Sequence, residues 1–165
     1  MTATDDLTST SPRPSRWPLS STMPPLAALP TAPACARAFV RQALSTWLLD
    51  SVADVAEIVI SELATNAVNA STDAAGLPLY FGGRMAVVRV CVLTDGVRVL
   101  LEVHDQAPGV PLPWHAAADD EYGRGLELVD ALSDRWGWRP ADGRPGKCVW
   151  AQIPVFNSSP LSKRR

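Results

Sequence analysis

Two polar side chains interrupt the apolar surface of segment 51–71 at a spacing that could support chemistry. Glu62 and Asn66 are four residues apart, so in a helix they lie one turn apart on the same face. A carboxylate can act as a general base, and a carboxamide oxygen is a hard ligand that suits magnesium. The alternative is a solvated helix edge, and the helix alone does not decide between the two.

A second candidate is a carboxylate at the exit of a β-like run. Asp105 ends that run, and Gly109 follows four residues later. A carboxylate in this position could accept a hydrogen bond from an exocyclic amine such as that of adenine. An aspartate that only forms a turn is the commoner case.

A third candidate is the motif Gly123-Arg124-Gly125-Leu126, which leads into a helical pattern. Glycines let a backbone approach a ligand closely, and the free amides of a first helical turn favour phosphate. The motif alone is weak, because a glycine turn before a helix is commoner. The chain has neither a Walker loop nor a complete dinucleotide fingerprint.

Hydrophobic periodicity predicts the elements that must position these residues. Apolar residues at helical spacing predict helices over 34–49 and 51–71, the second capped by Ser51, and a third over 126–132. A flap is expected over 114–122.

Alternating patterns predict two pairs of strands. The first pair spans 88–92 and 97–103, across the hairpin turn at Thr94-Asp95-Gly96, and the second spans 135–139 and 147–153.

Composition predicts one folded domain over 34–154. Residues 1–33 hold seven of the fifteen prolines and many Ser and Thr, a composition expected of an unstructured leader. The apolar patch 26–29 could still add a short edge strand. Residues 155–165 are expected to form a loose tail.

Charge and cysteine content exclude several classes of protein. A net charge of −2 with scattered basic residues gives no electrostatic footprint for nucleic acid. No run approaches the roughly 18 apolar residues of a membrane span. Three widely spaced cysteines without Cys-x-x-Cys spacing argue against a disulfide framework and against a zinc site. A cytoplasmic location is therefore expected.

The order and spacing of the three candidates resemble the nucleotide-binding family of histidine kinases, Hsp90, DNA gyrase and MutL. The family's Glu-x-x-x-Asn is matched at Glu62 and Asn66, its Asp-x-Gly-x-Gly at 105–109, and its Gly-x-Gly-Leu at 123–126. Within it, the phrases at 61–63, 123–129 and 135–137 resemble the small anti-sigma-factor serine/threonine kinases of actinobacteria.

The resemblance implies a two-layer α/β sandwich, with helices on one face of a mixed, mostly antiparallel sheet, that binds ATP and Mg²⁺. Glu62 would be the general base, and Asn66 would bind magnesium. The adenine amine would be read by Asp105, with Gly109 near the base. Phosphates would lie at Gly123, Arg124, Gly125 and Leu126.

The same resemblance implies partners. A homodimer would bind a sigma factor, or phosphorylate an anti-anti-sigma protein. The chain departs from the family pattern at Ala70, where many members have histidine, and at Ala107, where the motif has its first glycine. A degenerate regulator that binds nucleotide or only protein, without phosphoryl transfer, is therefore an alternative. A purely structural interaction domain is a more distant one.

Overall fold

Three helices lie on one face of an antiparallel sheet in the computed structural model, which describes residues 17–109 and 124–155. The helices are α1 (Ala32–Thr46), α2 (Ala53–Ala70) and α3 (Arg124–Leu132). The strands are β1 (Leu19–Thr22), β2 (Leu26–Ala27), β3 (Tyr80–Phe81), β4 (Arg84–Met85), β5 (Val87–Thr94), β6 (Arg98–Asp105), β7 (Arg135–Pro140) and β8 (Lys147–Pro154). The predicted two-layer α/β architecture is confirmed.

The main sheet has the strand order β1-β5-β6-β8-β7, and β2 also pairs with β5. All of these pairings are antiparallel. Both predicted strand pairs, β5 with β6 and β7 with β8, are present. The short hairpin of β3 and β4 stands apart from the main sheet and was not predicted.

Alternation along the strands divides the sheet into a helix-facing side and an outer side. The helix-facing side belongs to the main core with α1 and α2, and its fully buried residues are Val88, Val90, Val92, Val99, Leu101, Val103 and Ala151. Each buried aliphatic side chain of valine or leucine size contributes about 1.5–3 kcal/mol. A smaller cluster on the outer side contains Trp17, Leu100, Cys148 and Trp150.

The junction between α1 and α2 differs from the prediction. Ser51 does not cap α2, because it lies inside a 3₁₀ turn, Asp50–Val52, and Val52 takes the N-cap position without a side-chain cap. Leu48, which follows the end of α1, adopts the left-handed region with a φ of 59°. The Leu49 amide then donates to the Leu44 carbonyl at 2.8 Å, so backbone bonds close this helix end.

The expectation of an unstructured leader over 1–33 is wrong for residues 17–33. Trp17 is buried, β1 pairs with β5, and the Met23 amide donates to the Val90 carbonyl at 2.9 Å. Pro24 and Pro25 fall between β1 and β2 on the edge of the sheet, where missing amide donors are tolerated. The edge strand expected within 26–29 is confirmed as β2.

Several predictions fall outside the described residues. They concern residues 1–16, the flap at 114–122, Gly123 and the tail beyond residue 155. Among the described helices, none has the length and apolar character required to cross a membrane.

Candidate functional site

Glu62 and Asn66 lie on α2 beside its buried stripe, and both are half-buried. Leu63 directly follows Glu62, Ala67 directly follows Asn66, and both are buried in the core. Their burial fixes the orientation of α2 about its own axis. Neither polar side chain forms a hydrogen bond or ion pair with the described residues 17–109 and 124–155. Both groups are therefore available to a ligand on the face of α2 beside its core-facing stripe.

The carboxylate of Glu62 lies against the first turn of α3. A methyl group added at Gly125 would overlap the Glu62 Oε2 atom and would lie 3.4 Å from its Cδ atom. The absence of a side chain at Gly125 therefore leaves room for the Glu62 carboxylate in its present rotamer. Leu126 is buried beside it and anchors the turn.

Arg37 and Ser61 line an open groove between α1 and α2, and Glu62 borders the same groove. The Arg37 guanidinium donates to the Ser61 hydroxyl at 3.1 Å. The Glu62 side chain thus contacts the start of α3 and also borders a groove that is open to solvent.

Asp105 ends β6 in the row of residues that faces the helices, and it is 3% exposed. Its Oδ1 atom accepts hydrogen bonds from the Ala107 amide at 2.9 Å and from Lys147 Nζ at 2.8 Å. Its Oδ2 atom is buried and has no partner among the described residues. A buried acceptor without a partner is costly, so this atom fits a ligand that donates a hydrogen bond, such as the amine of adenine.

Burial and pairing act in opposite directions on the pKa of Asp105. Loss of hydration raises this pKa, the Lys147 ammonium and the Ala107 amide lower it, and the net direction is upward. Lys147 is itself only 4% exposed. Sequence reasoning missed Lys147, because it starts β8 and lies 42 residues from Asp105 in the chain.

Two glycines shape the backbone around Asp105. Gly146 has a φ of +107°, and a methyl group there would overlap the Asp105 carbonyl oxygen and lie 2.8 Å from Gln106 Cα. The hairpin of β7 and β8 therefore closes directly onto the end of β6. Gly109 has a φ of +98° with open space around it, whereas the methyl group of Ala107 is buried.

The structure brings the predicted residues together in two groups. Glu62 meets Gly125 and Leu126 where α2 contacts α3, while Asp105 lies at the end of β6, on which α2 also packs. No hydrogen bond joins Asn66 directly to Asp105 in the described part of the chain. Arg124 begins α3, and its side chain lies outside the described part.

Comparison with known proteins identifies the family of the chain. Residues 26–153 match the model of the histidine kinase-like ATPase domain family. The chain belongs to this family. It is accordingly an ATP-binding domain of the histidine kinase-like type, and the buried, unpartnered Oδ2 atom of Asp105 is consistent with that ligand.

Individual relatives add less detail. The chain is 47% identical over 78 residues to an uncharacterized protein of Streptomyces coelicolor, a match that covers 46% of this chain and 73% of that protein. A similar solved structure is the histidine kinase domain of a blue-light-activated histidine kinase from Erythrobacter litoralis. It has 18% identity and a TM-score of 0.45, and the match covers 73% of this chain and 61% of the other.

Proposed function

We propose that the protein is a cytoplasmic serine/threonine kinase of the anti-sigma-factor type, which uses Mg²⁺-ATP bound between α2, the end of β6 and the start of α3. The observation that carries this proposal is the placement of the Glu62 carboxylate against the Gly125 backbone. A general base must lie within hydrogen-bonding reach of the proton that it removes. Backbone amides at the start of a helix favour phosphate binding. Glu62 therefore lies beside the expected position of the γ-phosphoryl group that would be transferred.

The chain's own residues would divide the work of binding. Asp105 would accept the adenine amine at Oδ2, Gly109 would leave room for the base, and the backbone from Gly123 to Leu126 would bind phosphate oxygens. The Asn66 carboxamide, half-buried and one turn from Glu62, would supply an oxygen to magnesium. When bound, Mg²⁺-ATP would supply the γ-phosphoryl group with part of its charge neutralised.

The open groove between α1 and α2 favours a protein as the phosphoryl acceptor. Glu62 borders this groove as well as the first turn of α3, so a serine or threonine of a partner could approach the carboxylate from solvent. Glu62 would take the hydroxyl proton as the oxygen attacks the γ-phosphorus, and the bond from that phosphorus to the bridging oxygen would break to release ADP. By family resemblance the partner is a sigma factor or an anti-anti-sigma protein, and the kinase is a homodimer.

A second candidate is a regulator that binds ATP and changes partners without phosphoryl transfer. Ala70 and Ala107 replace residues that the family commonly has. Lys147 also occupies one oxygen of Asp105. Loss of a helper group typically lowers catalytic rates by factors of about 10²–10⁴, whereas nucleotide binding tolerates it better.

The experiment that tests the kinase is transfer of label from γ-labelled ATP to proteins recovered by pull-down. We expect one partner to be labelled on serine or threonine. Glu62→Gln should lower the labelling rate by about 10²–10⁴-fold while ATP binding persists. Asn69→Ala is the control on the same helix, because Asn69 is exposed and is not among the residues that line the groove. Saturable ATP binding without any labelled protein would favour the second candidate.

A further inference from the structure

The outer side of the sheet, opposite the nucleotide site, carries a cluster of metal-binding side chains. Cys91 of β5 is in register with Glu102 of β6, and His104 of β6 is in register with Cys148 of β8. Residues 91, 102, 104 and 148 all fall on the outer side by alternation. One donor atom from each of Cys91, Glu102 and His104 lies within 4.8 Å of the other two.

The two oxygens of Glu102 are oriented differently. Oε1 lies 3.3 Å from Arg139 Nη2, and Oε2 lies 3.5 Å from His104 Nε2. Arg139 therefore holds one oxygen of Glu102 and turns the other toward the imidazole. Residues that contact metal ligands, but not the metal itself, commonly orient those ligands in this way. The side chains of His104 and Glu102 are 26% and 11% exposed, so the cluster is sheltered but can be reached by a small ion.

A disulfide does not explain the two cysteines of this cluster. Cys91 and Cys148 are on strands separated by β6, which places their backbones about 9–10 Å apart, twice the roughly 4.8 Å strand spacing. A disulfide needs a Cα separation below about 7 Å. Both residues are free thiols.

The donor set selects a class of ion. A thiolate, an imidazole and a carboxylate are all ligands that zinc accepts, whereas magnesium and calcium prefer oxygen. Ligand atoms around tetrahedral zinc lie roughly 3.3–3.8 Å apart, because each is about 2.0–2.3 Å from the ion. The present donors lie within 4.8 Å of one another, so reaching these separations requires at most about 1–1.5 Å of movement, which side-chain rotation on fixed strands can supply.

We propose that Cys91, Glu102 and His104 form a binding site for a zinc-like divalent transition metal on the outer side of the sheet, with Arg139 as a positioning residue for Glu102. Three protein donors leave a fourth position open to water, as in zinc sites that are not closed. The site is separate from the nucleotide site, which lies on the helix-facing side. Glu102 and His104 are two residues apart on β6, and antiparallel register brings Cys91 of β5 to them.

The metal-free cluster holds a proton that the ion must displace. Burial lowers the pKa of His104, but hydrogen bonds with Cys148, Cys91 and Glu102 raise it, and the net pKa is about 11. Zinc binding must release this proton, because a histidine ligand binds the ion in its neutral form.

The test is titration of the full chain, freed of metal with a chelator, with Zn²⁺ against a chromophoric competitor and with Co²⁺ by absorption. We expect one equivalent to bind, and we expect Co²⁺ to show tetrahedral d–d bands with a thiolate charge-transfer band. Cys91→Ser should abolish that band. It should also weaken Zn²⁺ binding by more than about 100-fold, since loss of an outer residue alone costs about 10–100-fold.

Cys35→Ser is the matched control, because Cys35 is an exposed thiol on α1, and it should bind as the wild type does. His104→Gln is a second variant, which should also weaken Zn²⁺ binding and keeps the test decisive if Cys91→Ser does not fold. A Co²⁺ spectrum of the wild type without a thiolate band would overturn the proposal. So would equal Zn²⁺ affinities for the folded Cys91→Ser, or the folded His104→Gln, and for Cys35→Ser.

Discussion

Gly125 is a residue at which the geometry of the proposed nucleotide site can be changed with little harm to the fold. An added methyl group would meet the far end of the Glu62 side chain, which can rotate away, and alanine is intrinsically the better helix former. We expect Gly125→Ala to keep the melting temperature within a few degrees and to slow phosphoryl transfer by about 10²–10³-fold. The measurements are thermal unfolding and the initial rate of transfer.

A double variant shows whether this effect passes through Glu62. Residues that act as a unit give non-additive losses, so adding Gly125→Ala to Glu62→Gln should cause little further loss. Fully additive losses would mean that Gly125 affects the reaction by some other route.

Single residues also show how far the sequence could predict the site. Glu62, Asn66 and Asp105 could be proposed as site residues because each sits at a fixed offset within one segment. Lys147 could not, since its bond to Asp105 joins the end of β6 to the start of β8. The cluster of Cys91, Glu102 and His104 was missed because only strand register places Cys91 of β5 beside the two β6 residues.

At the scale of elements, the buried ion pair of Lys147 and Asp105 joins β6 to β8. Removing one partner of a buried pair leaves an uncompensated charge, which costs about 3–5 kcal/mol. We expect Lys147→Met to lower the free energy of unfolding by that amount in urea denaturation. The double variant Lys147→Met with Asp105→Asn should recover a large part of the loss. Two losses that simply add would contradict a direct pairing.

The strand β1 should be an integral part of the folded unit. It covers the outer edge of β5, and Trp17 is buried against Leu100 and Trp150. A protein that starts at Ala34 lacks these contacts, and loss of a buried tryptophan alone costs about 3–5 kcal/mol. We expect it to unfold at a clearly lower urea concentration than the full chain. Equal midpoints would show that the contacts of residues 17–33 contribute nothing to stability.

The elements that could be predicted are those with a strong local pattern. Alternating valines and leucines predicted β5 and β6, and helical spacing predicted α2 to within two residues at its start. The strand β1, with the sequence LSST, has one apolar residue and lies among prolines. Its position depends on the exposed edge of β5, which is a tertiary feature. Ser51 was assigned as a cap because the 3₁₀ turn before α2 has no signature in the sequence.

For the whole molecule, the account depends on three distant parts of the chain meeting around one nucleotide. The sequence could predict this convergence only through family resemblance, because periodicity gives elements but not their arrangement. The family match over 26–153 and the two-layer architecture show the fold in which these parts would meet. A bound ligand at a hundred times its dissociation constant stabilises a protein by about 2.7 kcal/mol. If the three parts meet around one nucleotide, Mg²⁺-ATP should therefore raise the free energy of unfolding by about this amount.

The most direct test is calorimetric titration with Mg²⁺-ATP, comparing the wild type with Asn66→Ala and Asn69→Ala. Asn66 is half-buried beside Glu62, whereas Asn69 is exposed on the same helix and serves as the matched control. We expect saturable binding by the wild type and by Asn69→Ala, and binding at least about tenfold weaker, or about 1.4 kcal/mol, for Asn66→Ala. Equal affinities for the three proteins, or no heat from the wild type, would contradict the account.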